Sequence, residues 1–432
     1  MLKGRSNKPE PIDNGAEATG YQSSPTSPTS LKTPTITAEL APPKPRQGSR
    51  SSALTGTTAL PSPSPRQVPL TISHRGTRHT HPENSLPAFL SALSFSNTTA
   101  LETDIHLTSD SHVLLSHDPT LRRCFGVDKK VKDCTLEYVK TLRTLKDPNV
   151  DCATLTELLS LLVEKQNVER GVWALLDIKV SAGSPQEVIT ALQRTISEFG
   201  GGVEGGYGLD YWKSRIKLGI WGYSYVPFCR HLLPGFSIIH IGIDVAYARA
   251  FLERGVTEFS LLEAVIMGRK GKKFMAEVRV KGGVLCSWTV NSPETMRWCT
   301  ANHLDGVVTD EVGLFGDMCK EYLENPEVKG YGKLPWGRRF ENAAVRALAW
   351  MVSRLWRWTR GGEGGEDACW PSGPEIEVVK GSEQRGSRNG AVLLITGELV
   401  LFVCMVRVAW VDRFSVFLFC IIFSVNCFPN PT

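Results

Sequence analysis

Six of the nine histidines of this 432-residue chain fall between residues 74 and 117, and the same window holds Glu102 and Asp104. Imidazoles change charge near neutral pH and carboxylates bind hard cations, so this window is equipped for proton transfer beside a metal. Glu102 and Asp104 lie two residues apart in an apolar run at 100–107, and in a strand that spacing puts both side chains on one face. Two such carboxylates repel unless a cation sits between them, and oxygen ligands select Mg2+ or Ca2+. Asp177, in Leu-Leu-Asp-Ile-Lys, is the natural third carboxylate, with Lys179 on its side of the strand. Left unpaired in a buried strand these groups would cost several kcal/mol, which favours ligation over a merely solvated polar edge.

Groups so far apart in sequence meet only if a fold gathers them. From residue 68 to 316, short apolar runs alternate with longer amphipathic stretches. Strands are expected at 70–73, 100–107, 113–116, 173–180, 216–221, 236–243, 284–290 and 306–309, and helices at 85–94, 155–164, 185–199, 245–254 and 293–302. Residues 259–267 read equally as strand or helix. This alternation predicts an α/β protein, a (β/α)8 TIM barrel before an open sheet. In a parallel barrel the strand C-termini converge on one face, so His74 after the first strand, Glu102 and Asp104 on the second and His117 after the third can share a site.

The flanks have other textures. The first 70 residues contain twelve Pro, ten Ser and nine Thr, so 1–67 reads as a disordered tail that cannot bury enough apolar surface to fold. Its Ser/Thr-Pro dipeptides at Ser24, Ser27, Thr33, Ser62 and Ser64 suit proline-directed phosphorylation and suit chance in such a composition equally well. Residues 317–390 form a connector whose Trp/Arg-rich stretch at 343–360 either packs on the barrel or lies on a membrane surface, and 361–366 is a Gly/Glu-rich linker. The last segment, 391–432, is apolar, but Glu398 interrupts it and Arg407, Asp412 and Arg413 divide it. Each apolar run falls short of the roughly 20 residues of a spanning helix, which leaves two readings open in equal measure: a membrane-dipping hairpin or short tail anchor, or an end that is not natural coding sequence.

Net charge is +5, of which +4 lies in the first 70 residues, so the folded part is nearly neutral, which argues against a nucleic-acid partner bound by bulk charge. Eleven cysteines without a CxxC pair, and an N-terminus with neither an apolar run nor an acid-poor character, suggest an intracellular protein, cytoplasmic or attached to an internal membrane.

An ordered set of strings carries a family resemblance: HRG at 74–76, HPENSLPAF at 81–89, ALETDIHLT at 100–108, LLSHDPTLRR at 114–123, TLTELL at 154–159, LLDIK at 175–179, SWTVN at 287–291 and DGVVTD at 305–310. Together they resemble glycerophosphodiester phosphodiesterases, a TIM-barrel family, over about residues 70–316. The resemblance implies His74 and His117 as the general acid/base pair and Glu102 and Asp104 as metal ligands. Asp177 stands where most members have Glu in an E-x-K motif, one methylene shorter. Arg75 and Lys179 match basic residues facing the phosphate, Trp288 an aromatic at the lip, and Asn84 is assigned to the lining of the site. His79, His81, His106 and His112 are left as structural, with His81 organising the loop after the first strand. The implied substrate is a glycerophosphodiester or a phospholipid at a membrane surface, releasing glycerol phosphate. The DIK variant with an apolar tail is similar to fungal phosphatidylglycerol-specific phospholipase C. Two alternatives are weaker. A sphingomyelinase D-like lyase would close on an Asp-Asn-Pro-Trp motif absent here, and a non-catalytic lipid- or metal-binding barrel would not need every acid/base and ligand position filled.

Overall fold

A computed structural model describes residues 68–199, 207–325 and 332–359, together with strand segments at 377–380, 391–394, 399–411 and 414–425. The 1–67 tail with its Ser/Thr-Pro dipeptides and the linker at 361–366 lie outside the described residues.

Nine strands account for the site: β1 (Leu70–His74), β2 (Thr98–Leu107), β3 (Val113–Leu115), β4 (Trp173–Ile178), β5 (Ile216–Ile220), β6 (Ser237–Gly242), β7 (Glu258–Leu262), β8 (Val284–Trp288) and β9 (Gly306–Thr309). They hydrogen-bond in the order β1-β9-β8-β7-β6-β5-β4-β2, and β1 pairs with β2 to close the ring. The eight staves are parallel, with helices between them, and form the expected TIM barrel. Residues 259–267 turn out to be both elements in succession, the stave β7 and then a short helix at Glu263–Ile266.

The expected third strand is not a stave. β3 runs antiparallel to β2, with Ile105 opposite Leu115, because β2 overruns the barrel end and folds back on itself. His117 therefore reaches the barrel mouth by descending from this hairpin, Ser116 N–H donating to Asp104 O, and not by rising at the end of a parallel strand. The hairpin carries an insertion with its own small core around Leu114, Leu121, Val131 and Val139.

Period-two alternation sets the depth of the chemistry. Ile72, Ala100, Cys286 and Val308 pack as one buried cluster inside the barrel. Two residues further along the same staves stand His74, Glu102, Trp288 and Asp310, so the polar layer rests directly on an apolar floor. On the outer side of the staves, residues such as Leu101, Ile105 and Leu176 join the main core beneath the helices. Those helices begin on the caps their sequences supply, including capping boxes at Thr154/Glu157 and Ser184/Glu187.

The long helix Trp336–Thr359 packs on the short helix after β7: Asn342, Ala349 and Ser353 are buried, and Asn342 Nδ2 donates to Met267 Sδ. The apolar runs of the C-terminal segment form two antiparallel strands, Leu399–Val411 and Phe414–Val425, with Cys404 opposite Cys420. Among the described residues no helix is long and apolar enough to cross a membrane.

Burial of imidazoles gives the fold an acid sensitivity. His240 stacks on Phe251 at 3.9 Å and is fully enclosed, and burial pushes its pKa down to about 3. Unfolded, the same ring takes a proton near its ordinary value of about 6.5, so below that pH the unfolded state binds more protons and stability falls, by at most about 1.4 kcal/mol per pH unit, until the folded pKa is reached. His240→Phe is expected to flatten the decline of the denaturant midpoint between about pH 6.5 and about pH 4. An unchanged slope would mean that this ring does not contribute to it.

Candidate active site

At the C-terminal end of β1 the chain turns through two left-handed residues, Arg75 at φ 57° and Gly76 at φ 78°. A Cβ on residue 76 would lie 2.6 Å from Ala88, so only glycine allows this turn against the following helix. Arg75 and Asn84, also left-handed at φ 53°, each hold a conformation that costs about 1–3 kcal/mol. The turn is fixed by Arg75 N–H donating to Glu102 O at 3.0 Å and to Glu102 Oε2 at 3.1 Å, and by Asn84 N–H donating to Arg75 O at 3.0 Å.

Asp104 is the hub of the polar network. Its Oδ2 accepts from Asn84 Nδ2 at 2.9 Å and lies 3.0 Å from Arg75 Nε, while its Oδ1 lies 2.8 Å from Lys179 Nζ. Lys179 Nζ also reaches Asp177 Oδ2 at 2.7 Å, and the Trp221 indole N–H donates to Asp177 Oδ1 at 2.7 Å. In register, Asp104 stands beside Asp177 on neighbouring staves, and Glu102 lies two residues below Asp104. Glu102, Asp104 and Asp177 are all buried and offer ligand oxygens within 4.8 Å of one another. The shorter side chain at 177 therefore stays inside the cluster.

The charges explain why this trio suits a cation. Burial drives the Glu102 carboxyl well above the usual carboxylate range, and the neighbouring Asp104 and Asp177 add to it. Burial also raises Asp177, against the pull of Lys179. Asp104 goes the other way: burial works against its charge, but Arg75 and Lys179 together hold it well below the usual range. With all three carboxylates ionised, as ligation of a cation requires, they face two fixed cations and leave one negative charge in excess. A divalent cation would reverse that excess and leave the site complementary to a phosphodiester monoanion. The donor set is all oxygen, as Mg2+ and Ca2+ require, and fits such an ion.

Each candidate acid/base imidazole is held by a carboxylate. His74 Nδ1 lies 2.8 Å from Asp310 Oδ1, and Asp310 is gripped in turn by Arg78 Nε at 2.8 Å and by the Asn291 amide, which donates to Oδ2 at 2.6 Å. His117 Nδ1 lies 2.8 Å from Asp118 Oδ1. Arg123 donates to both oxygens of Asp118 and to both of Glu83, tying the hairpin to the loop after β1. Despite burial, His74 and the Arg78 guanidinium hold Asp310 well below the usual range, and His117 and Arg123 bring Asp118 down to about 2. Both aspartates are thus ionised acceptors, and each favours the tautomer that carries its imidazole's proton on Nδ1. Burial, with Arg75 and Lys179 nearby, pushes His117 down to about 3; burial and Arg75 lower His74 as well, with Asp310 opposing. His117 opens onto a cleft of about 390 Å3 lined also by Arg78, Arg123, Phe125, Leu145 and Lys146.

The structure gathers Arg75, Asn84, Glu102, Asp104, Asp177 and Lys179 into one network, joins His117 to it through Asp118, Arg123 and Glu83, and sets His74, held by Asp310, beside Glu102 in the register of β1 and β2. Asn84 does more than line the pocket, since its amide orients Asp104. Trp288 donates its indole N–H to Ser260 O at 2.9 Å and meets Trp221 edge-on at 5.6 Å, forming a half-buried aromatic wall. His81 bonds Thr77 and Thr80 within its loop, and His106 bridges Ser116 O and Ser181 Oγ, both structural as expected. Sequence reasoning missed Asp310, Asp118, Arg123, Glu83 and Trp221. Asp310 and Trp221 each follow the last residue of a stave, and that position was a usable signal.

Residues 74–314 match the glycerophosphoryl diester phosphodiesterase family. A glycerophosphodiester phosphodiesterase of Caldanaerobacter subterraneus subsp. tengcongensis is 24% identical over 262 residues, covering 56% of this chain and 94% of that protein. A human lysophospholipase D is 42% identical over 62 residues, 14% of this chain and 19% of that protein. A solved structure from Silicibacter pomeroyi DSS-3 shares the fold with a TM-score of 0.51 at 19% identity, covering 59% of this chain and 94% of that one. With more than half of its length matched, including every candidate site residue, the chain belongs to the glycerophosphoryl diester phosphodiesterase family.

Proposed function

We propose that this phosphoric diester hydrolase releases glycerol phosphate from glycerophosphodiesters by a two-histidine mechanism, in a site that takes Mg2+ or Ca2+. The observation that carries the reading is the buried trio Glu102, Asp104 and Asp177 at the same barrel end as two aspartate-held imidazoles. A divalent cation bound by the trio would supply Lewis-acid neutralisation of the phosphoryl oxygens. Arg75 and Lys179, already fixed against Asp104, add positive charge where negative charge builds in the transition state, and need no reorganisation to do so. Of His74 and His117, one accepts the proton of the attacking oxygen and the other protonates the departing alkoxide. The attacking oxygen is either water or the glycerol hydroxyl beside the phosphate, which would give a cyclic phosphate opened later by water. Asn84 and Trp221 orient carboxylates, and Trp288 walls the substrate.

A glycerophospholipid such as phosphatidylglycerol is the finer form of this reading. It is supported by Asp177 in its DIK setting and by the apolar strands at Leu399–Val411 and Phe414–Val425. The test is to incubate the full chain with glycerophosphocholine, glycerophosphoinositol and phosphatidylglycerol vesicles in parallel. Glycerol phosphate is expected from at least one of them, to stop on chelation of divalent metal and to return when Mg2+ or Ca2+ is restored. Turnover that survives chelation would overturn the mechanism.

A further inference from the structure

We propose that the outer face of the helix Trp336–Thr359 is a docking surface for an anionic phospholipid bilayer, set at the rim of the barrel mouth. One face of this helix is used up by Asn342, Ala349 and Ser353 against the elements after β7. Another carries Trp336, Phe340, Ala343, Ala347 and Trp350, spaced 4, 3, 4 and 3 residues apart, so they form one stripe, and all five are exposed. Trp336 is 72% exposed, Phe340 68% and Trp350 57%. Large aromatics held this far in water, in line, mark an interaction surface.

Charge selects the occupant. Five arginines, 338, 339, 346, 354 and 357, stand against the single acid Glu341 in this helix. The Arg339 guanidinium lies 4.7 Å from the centre of the Trp336 ring, so cation and aromatic are presented together. A basic helix with an aromatic stripe fits the headgroup region of an anionic leaflet, where tryptophan rings settle and arginine stems reach up to phosphate. A second copy of the same helix would bring like charges face to face.

Position supports the same occupant. Arg346 donates to Ala264 O at 3.2 Å, just beyond the C-terminal end of β7, which is the catalytic end of the barrel. Counted round the closed ring, β7 is four staves from β2 in either direction, so it stands across the mouth from the hairpin insertion. That insertion presents Leu145, 65% exposed, on the cleft that His117 opens onto. The mouth thus lies between two apolar footholds.

Vesicle attachment and turnover are measured separately, so failure of one does not decide the other. The full chain and its Trp336→Ala/Phe340→Ala variant are sedimented with vesicles of phosphatidylcholine alone and of phosphatidylcholine with phosphatidylglycerol. The parent is expected to prefer the anionic vesicles, and the variant to lose about tenfold in partition. Both substituted side chains are exposed, so hydrolysis of soluble glycerophosphocholine and the melting temperature should be unchanged. Arg339→Gln should weaken attachment in the same direction, and raised salt should weaken the parent. Unaltered sedimentation of the double variant, as when the C-terminal strands alone hold the vesicle, would overturn the proposal. So would a concentration-dependent dimer that the double variant abolishes.

Discussion

His74→Ala and His117→Ala are each expected to lower kcat on a glycerophosphodiester with a poor alkoxide leaving group by about 100- to 10,000-fold. The two losses should part company on a glycerophosphodiester whose leaving group is p-nitrophenolate. That group needs no proton to depart, so the variant lacking the acid recovers most of its rate on it, while the variant lacking the base stays impaired. Rescue of one and not the other is the signature of a divided role. Equal rescue of both, or of neither, would remove the two-histidine scheme even if both variants were inactive on the natural linkage. The supporting carboxylates refine the measurement. Asp310 holds His74 at Nδ1, so Asp310→Asn should lower kcat less than His74→Ala and shift the pH profile, because the amide no longer favours the Nδ1 proton or the charged ring.

The residues that act were more legible in the sequence than the path by which they meet. Period-two spacing placed Glu102 and Asp104 on one face, and the LLDIK string placed Asp177 and Lys179; all four converge as that spacing requires. The hairpin at β3 was not legible, because a three-residue apolar run carries no mark of strand direction, and only the pairing of Ile105 with Leu115 reveals it. Residues 259–267 resisted a single assignment because β7 passes into a helix with no turn residue between them, Leu262 ending one and Glu263 opening the other. Asp310, Asp118 and Trp221 escaped for a different reason. Each acts on another side chain and not on substrate, so a search for catalytic and ligand residues passes over it: Asp118 because its partner is the neighbouring His117, Asp310 and Trp221 because only their place just after a stave marks them. Asp177 is the instructive case. A methylene short of the family's usual residue, it keeps its place because Trp221 and Lys179 hold its two oxygens, an arrangement visible only once β4 and β5 lie side by side.

Glu102→Gln and Asp104→Asn should both abolish metal-dependent turnover yet change stability in opposite directions. Glu102 is a buried carboxyl whose charge is opposed by burial and by its two acidic neighbours, so its folded pKa lies above the unfolded one. The ionised form is thus a cost to the fold, and that cost grows as pH rises through the ordinary carboxylate range. A neutral glutamine removes it, and without metal the variant should melt higher than the parent at neutral pH. Asp104 has the reverse sign, since Arg75 and Lys179 depress it and its charge stabilises the fold at every pH above its ordinary value. Asparagine there leaves two buried cations with fewer partners. Arg75 retains Glu83 and Lys179 retains Asp177, so the loss should fall at the low end of the about 3–5 kcal/mol typical of a broken buried pair. Adding Mg2+ or Ca2+ completes the test. A ligand at 100 times its Kd raises stability by about 2.7 kcal/mol. That gain should appear in the parent and fade in both variants, because each has lost one of three ligands. A Glu102→Gln protein that melts lower than the parent without metal, or that keeps the full metal-induced rise, would show that the trio is held together by something other than the need for a cation.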